Sequence, residues 1–160
     1  MAATVRLQRE PFDAASEAEK LRRGRRDIGA VVMFTGICRG DEAGAPLLAM
    51  TLEHYPGMTE RQLERIEAEA QRRWPLQASL IVHRVGRMLP GEPIVLVATA
   101  SAHRHAALEA CAFLIEATVE LIVLVPRAFR EHRPEHFHVR RDGRALARET
   151  RGEALFQVAG

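Results

Sequence analysis

The stretch Leu52-Glu53-His54-Tyr55-Pro56-Gly57-Met58 does most to decide the fold, because it joins a predicted strand to a predicted helix through a Pro-Gly turn. The helix has the clearest pattern in the chain. Thr59 and Gln62 stand at capping-box spacing, and apolar residues recur on one face until Pro75 ends the pattern. The sequence therefore predicts a strand, a tight turn and a helix in direct succession here.

Further strands and helices are predicted on both sides of that connection. A helix capped at Asp13 or Ser16 runs to Gly24, and another helix begins at Ser101. Strands are predicted over residues 5–7, 28–35, 47–55, 80–85 and 94–100, and we expect 47–55 to return beside 28–35 as a hairpin. Because strands and helices alternate irregularly, the sequence predicts an α+β fold rather than a doubly wound parallel sheet.

Size and composition indicate an ordinary globular domain. The chain has 160 residues, 47% hydrophobic and 28% charged, which is enough to bury a core without disulfides or metal. A net charge of +2 demands no nucleic-acid partner, and the two distant cysteines favour a reduced, cytoplasmic protein. The N-terminus lacks a secretory h-region, and the apolar run over 110–125 contains Glu116 and Glu120, so no membrane span is predicted.

The pair His103-Arg104 is the sharpest candidate for a binding site. It stands where a helix begins, and exposed N–H groups together with the helix dipole favour an anion there. The guanidinium can grip a phosphate bidentately, and the imidazole can donate or shuttle a proton near neutral pH. The alternative is that both residues lie at the helix end without binding a ligand. The next residue, His105, is expected to point elsewhere and to be structural.

A second candidate follows the strand over 28–35. Arg39 comes after this strand and a glycine, so it is predicted on a loop at a sheet end, where ligand contacts are common. Its neighbour Cys38 is better explained as a packed thiol than as a nucleophile. His54 and the pair His83-Arg84 are assigned to structure. The histidines near the C-terminus match no zinc-site spacing, and no metal site is predicted: His132, His136 and His138.

Several motifs in order and at matching spacing resemble one known family. They are Gly29 to Arg39, Leu52 to Glu60, Arg73-Trp74-Pro75-Leu76, His83 to Gly86, Pro90-Gly91-Glu92 and Ser101 to Arg104. Across roughly residues 11–116 the chain resembles the large, catalytic subunit of molybdopterin synthase. The resemblance implies an α/β hammerhead fold with an added antiparallel β subdomain. It implies a family-like domain over 1–125, with 126–160 as a divergent Arg/His-rich C-terminal segment of the same domain.

The resemblance also implies a reaction and its partners. A small ubiquitin-like carrier with a C-terminal thiocarboxylate would deliver sulfur to cyclic pyranopterin monophosphate, a pterin phosphate, giving molybdopterin. The expected assembly is a homodimer within a heterotetramer, without a further cofactor, a membrane or a nucleic acid. Carried over by motif, Ile37-Cys38-Arg39 and His103-Arg104 would line the substrate pocket, with His103 and Arg104 reaching across the dimer.

One departure from the family concerns its two active-site lysines, since Lys20 is the only lysine of the chain. Without gaps, Val119 and Pro126 fall at the lysine positions, whereas a small insertion would bring Phe129-Arg130 there. Arg127 and Arg130 are therefore the candidate catalytic residues. An arginine stabilises negative charge but does not readily lose a proton.

Three explanations of the departure stay open. In the first, the enzyme uses arginines as electrostatic stabilisers; in the second, it is an impaired homologue that binds carrier or pterin without turnover; in the third, its coding sequence is shifted in frame. A different function class, an RNA-binding module using the Arg-rich tail, is disfavoured because aromatic residues make up only 5% of the chain.

Overall fold

The computed structural model describes the backbone of residues 2–42 and 45–130, and the side chains of residues 4–41 and 46–122. Its elements follow the chain in this order: β1 (Ala2–Gln8), α1 (Ala14–Arg22), β2 (Ala30–Ile37), β3 (Asp41–Glu42), β4 (Ala45–Pro46), β5 (Met50–Leu52), α2 (Met58–Arg73), β6 (Leu76–Arg84), β7 (Gly86–Met88), β8 (Pro93–Ser101) and α3 (Arg104–Arg130). The α+β prediction is confirmed.

A four-stranded sheet organises the fold, with strand order β1-β6-β8-β2. The pair β1–β6 is parallel, whereas β6–β8 and β2–β8 are antiparallel. Two small ribbons, β3–β4 and β5–β7, lie outside this sheet. Since β8 pairs with β6 on one side and with β2 on the other, the sheet holds both ends of β8 firmly in place.

Helices cover both faces of the sheet. α2 and α3 pack on one face, and their buried residues join the strands in the larger core: Leu63, Ala70, Leu76, Ile81, Val95, Val97, Ala110, Cys111 and Leu114. α1 covers the other face over a smaller core, which is formed by Leu80, Val82, Leu96 and Ala98. Strands β6 and β8 are buried on both faces, which explains their nearly unbroken apolar sequences.

The helix starts show how local chemistry sets the boundaries. The Asp13 carboxylate accepts a hydrogen bond from the Ala15 N–H at 3.1 Å and caps α1, so Asp13 rather than Ser16 is the cap. α2 begins at Met58, one residue before the predicted start at Thr59. Its cap is Gly57, whose φ of 77° suits glycine and whose N–H donates to the Glu60 carboxylate at 2.7 Å.

The predicted hairpin between 28–35 and 47–55 is wrong. Only Met50–Leu52 of the second segment forms a strand, and that strand pairs with β7. The partner of β2 is β8, which lies about sixty residues further along the chain. Alternation in 47–55 reflects the burial of residues such as Leu47 and Ala49, and alternation alone does not identify a partner strand.

The C-terminal part of the chain extends beyond the described residues. α3 continues past Pro126 to Arg130, so the helix predicted to begin near Ser101 extends beyond the apolar run over 110–125. The rest of the predicted Arg/His-rich segment, residues 131–160, lies outside the described residues, and His132, His136 and His138 lie there as well. Within the described residues, no helix is long and apolar enough to cross a membrane.

Candidate functional site

The turn between β8 and α3 carries His103 and Arg104, and buried contacts hold it in place. The Ser101 hydroxyl accepts a hydrogen bond from the His103 N–H at 3.3 Å and donates to the Pro75 carbonyl at 2.9 Å. Just before β2, the Gly29 N–H donates to the Ser101 carbonyl at 3.0 Å. Ser101, which is fully buried, therefore ties this turn to the end of α2 and to the start of β2.

Gly29 is needed because backbone approaches it too closely for any side chain. A Cβ atom at this position would lie 2.3 Å from the Ala102 carbonyl oxygen, well inside van der Waals contact. A backbone oxygen cannot swing away as a flexible side chain can, so a larger residue would have to displace the turn itself. Gly29 thus sets how close β2 comes to the residues just before His103.

An open cleft of about 590 Å³ lies at this turn. Its walls are formed by Gly29, Ala102, His103, Arg104, His105 and Leu108. The three charged or titratable side chains are exposed, and His105 Nε2 lies 3.2 Å from the Glu109 carboxylate. His105 also lines the cleft, but its contact with Glu109 lies along the same helix and agrees with the structural role expected for it.

The last residue of β2 and the loop after it carry the other candidates. Ile37 is 48% exposed and Arg39 is exposed, but Cys38 between them is buried and its thiol donates to the Arg39 carbonyl at 3.7 Å. Burial raises the pKa of the Cys38 thiol, and the nearby Glu92 carboxylate raises it further. Cys38 therefore packs as a neutral thiol and is not poised as a nucleophile.

These two groups of candidates lie at opposite ends of the β2–β8 ladder. Ala30 pairs with Ser101 at one end, and Ile37 pairs with Pro93 at the other. At about 3.3 Å per residue, the ends are roughly 23 Å apart. Within one chain, the structure therefore does not bring Arg39 together with His103 and Arg104. We call these places the Arg39 end, with residues 36–40 and 83–93, and the His103 end, with residues 28–30 and 99–104.

α3 connects the two ends because it runs back along β8. Thr99 Oγ1 donates to the Ala107 carbonyl at 2.7 Å, and the Cys111 thiol donates to the Val97 carbonyl at 3.9 Å. Moving two residues back along β8, from Thr99 to Val97, therefore corresponds to moving four residues forward along α3, from Ala107 to Cys111. Continued at that rate, Val119, which is 53% exposed, lies level with the Arg39 end. Arg127 and Arg130 follow in the last turns of the helix, and their side chains lie outside the described residues.

Comparison with known proteins gives consistent matches. The sequence model of the family described as MoaE protein matches residues 7–120. A molybdopterin synthase catalytic subunit from Mesorhizobium japonicum is 58% identical over 116 residues, which cover 72% of this chain and 72% of the relative. Its counterpart from Rhizobium meliloti is 58% identical over 113 residues, covering 71% and 72%.

Solved structures agree with the sequence matches. Molybdopterin cofactor biosynthesis protein E from Burkholderia multivorans is 47% identical and covers 74% of this chain and 77% of its own, with a TM-score of 0.66. Molybdopterin synthase from Staphylococcus aureus is 32% identical and covers 71% and 82%, with a TM-score of 0.65. Both ends of the β2–β8 ladder lie inside the region that the family model matches.

Proposed function

Because the chain belongs to the MoaE family, we propose that it catalyses the sulfur transfer that gives molybdopterin, as the catalytic subunit of a molybdopterin synthase. The sulfur donor is the C-terminal thiocarboxylate of a small ubiquitin-like carrier, and the acceptor is cyclic pyranopterin monophosphate. One observation carries the proposal: relatives named as this catalytic subunit are 58% identical over 116 residues. None of the relatives' names favours the alternative of a homologue that binds without turnover.

The substrate-binding residues in this proposal are Ile37, Arg39, His103 and Arg104. Their exposure supports the assignment, and so does the start of α3, where unsatisfied N–H groups and the helix dipole favour a phosphate. Arg39 and Arg104 supply the bidentate donors that phosphate and carboxylate oxygens prefer. The motif includes Cys38 as well, and in this proposal its contribution comes from its backbone, since its side chain is buried.

A pocket that contains all of these residues needs two copies of the chain. The Arg39 end and the His103 end are roughly 23 Å apart in one chain, too far for one pterin phosphate to touch both. The homodimer thus combines the Arg39 end of one protomer with the His103 end of its partner. β2 supports this arrangement: among the described strands it pairs only with β8, and it exposes Met33, Phe34 and Ile37 by 45%, 38% and 48%.

Arg127 and Arg130 are proposed to stabilise negative charge on the thiocarboxylate and the phosphate. Their place in α3 supports this role, since the helix runs from the His103 end toward the Arg39 end. A guanidinium stays protonated, so these residues act electrostatically and not as proton donors that recycle. We propose the cytoplasm as the compartment, because both cysteines are free, buried thiols.

The direct test is reconstitution. The purified protein, a thiocarboxylated carrier and cyclic pyranopterin monophosphate are combined, and molybdopterin is measured. We expect product, with kcat/KM lowered roughly 100-fold by Arg39→Ala or Arg104→Ala and unchanged by Arg65→Ala, an exposed arginine on α2. No product, with the carrier shown to bind, would favour the impaired homologue. Equal effects of all three variants would contradict the pocket assignment.

The shared pocket has its own test. Arg39→Ala and Arg104→Ala damage different ends of the ladder, so a mixed dimer contains one pocket with both defects and one with neither. After subunit exchange, a statistical mixture should recover roughly a quarter of the wild-type activity, because half of the dimers are mixed and half of their pockets are intact. Absence of recovery, after exchange has been verified by mass spectrometry, would mean that each pocket is built within one chain.

A further inference from the structure

A buried arginine lies beside the Arg39 loop, and the reaction proposed above does not use it. Arg84, the last residue of β6, is only 3% exposed. Its Nη1 donates to Glu92 Oε2 and to the Pro93 carbonyl, each at 3.2 Å, and its Nε donates to the Arg9 carbonyl at 3.3 Å. Burying a guanidinium is costly unless it is paired and hydrogen-bonded, so these contacts mark a place where the chain needs a defined geometry.

The partner carboxylate closes a turn. Glu92 Oε2 also accepts a hydrogen bond from the Leu89 N–H at 2.9 Å, and the Glu92 N–H donates to the Leu89 carbonyl at 3.1 Å. The Leu89 N–H and the Arg84 guanidinium together lower the pKa of the Glu92 carboxyl, so it is ionised near neutral pH. The turn from Leu89 to Glu92 is thus anchored to the buried Arg84.

The turn from Leu89 to Glu92 is hydrogen-bonded to Cys38, the residue that precedes Arg39. The Cys38 N–H donates to the Glu92 carbonyl at 2.9 Å, and the Gly91 N–H donates to the Cys38 carbonyl at 2.8 Å. Both backbone groups of Cys38 are therefore bonded to the turn, and the Cα atom of Arg39 lies about 3.8 Å further along the chain. A shift of the turn would carry Arg39 with it.

We propose that Arg84 and Glu92 are positioning residues, which set where Arg39 stands in the substrate pocket through the turn at 89–92 and the backbone of Cys38. This assignment rests on the proposed function, because that function is what makes Arg39 a substrate-binding residue. It gives a role to two buried or half-buried charged residues that do not line the cleft at His103.

A double-mutant cycle tests whether Glu92 acts through Arg39. Glu92→Gln keeps the side-chain volume and an oxygen for the Leu89 N–H, but it removes the charge that pairs with Arg84. We expect kcat/KM to fall roughly tenfold, mainly through a higher KM, because a displaced Arg39 binds substrate less well. In an Arg39→Ala background the same change should cost less than about twofold. Glu19→Gln, which removes the carboxylate of the exposed Glu19–Arg22 pair on α1, is the matched control.

Amide hydrogen exchange gives a readout that does not depend on activity. Glu92→Gln should accelerate exchange at the Cys38 and Gly91 amides at least tenfold and leave the amide of Ala98, in the middle of β8, unchanged. Unchanged exchange at Cys38, or an equal rise at all three amides, would overturn the proposal. So would an undiminished tenfold loss of activity in the Arg39→Ala background. Absence of product from the wild-type protein would instead overturn the proposed function, and the exchange result would still decide whether Glu92 holds the loop.

Discussion

The Arg39 end and the His103 end each present an arginine to solvent, but they are held by different kinds of contact. At the Arg39 end, the buried Arg84 pairs with Glu92. At the His103 end the holding groups are neutral: the Ser101 hydroxyl, and Gly29, which has no side chain. One end is organised by charge and the other by close packing. The two ends should therefore respond to different perturbations, and the following predictions use that difference.

The largest effect is expected from a methyl group at the His103 end. In Gly29→Ala the new Cβ meets the Ala102 carbonyl oxygen, so the backbone must move, and we expect a loss of about 3 kcal/mol in the free energy of unfolding. Gly40→Ala at the Arg39 end is the matched control, because its nearest neighbour would be Pro90 Cβ at an ordinary 3.7 Å. Chemical denaturation of both variants checks this, and equal losses would contradict the packing account.

Acidification should act on the Arg39 end. Burial, helped by the nearby His54, lowers the pKa of His83 to about 4, although the hydrogen bond from His83 Nδ1–H to the Arg84 carbonyl opposes the shift. In the unfolded chain the imidazole of His83 takes up a proton near pH 6.5, whereas in the folded chain it stays neutral until about pH 4. The free energy of unfolding is therefore highest above pH 6.5 and falls as the pH is lowered toward 4. Between pH 7 and 5, in a window above the carboxylate titrations, this amounts to about 2 kcal/mol.

Denaturation at several pH values checks this second prediction. In His83→Gln the free energy of unfolding should change little between pH 7 and 5, because the group that titrates is gone. Amide exchange should also rise with acid at Arg84 and Val95, which flank His83 or pair with it, before it rises at Ser101. A wild-type pH dependence that persists in His83→Gln would assign the effect to another group.

The smallest effect is expected from one hydroxyl at the His103 end. Ser101→Ala removes the acceptor for the His103 N–H and the donor to the Pro75 carbonyl, and we expect a loss of about 1 kcal/mol. Ser16→Ala in α1 is the control, since Ser16 is exposed and lies inside the helix, where alanine is favoured. The Ser101 loss should be the same at pH 7 and pH 5, and a loss that grew with acid would contradict a neutral contact.

Local patterns predicted the elements of the fold better than their partners. The helices near Asp13, Gly57 and Ser101 follow from capping residues and periodicity, which act within one or two turns of the chain. The pairing of β2 with β8 depends on contacts across about sixty residues, and no short pattern encodes it. The predicted partner of the segment 47–55 is therefore wrong, because the alternation of its side chains describes burial and not register.

The candidate site divides in the same way. Helix-start chemistry points to His103 and Arg104, and the burial of His83 and Arg84 agrees with their assignment to structure. The roles of Gly29 and Glu92 were not predicted, because a glycine that touches Ala102 and a carboxylate that pairs with Arg84 look ordinary in sequence. The separation of roughly 23 Å between the two ends could not be predicted from the sequence either, because it follows from the register of β2 on β8.

The parallel pairing of β1 with β6 has a consequence for the order of synthesis and folding. Ala2 pairs with Ala78, so β1 leaves the ribosome 76 residues before its partner strand. At about 5 to 20 residues per second, this delay lasts roughly 4 to 15 s. During that interval Val5 and Leu7, which pack against the larger core in the folded chain, lack their neighbouring strand β6. A nascent chain of this protein should therefore bind chaperones most strongly before β6 emerges, and a sequence change that slows translation before β6 should lower its yield.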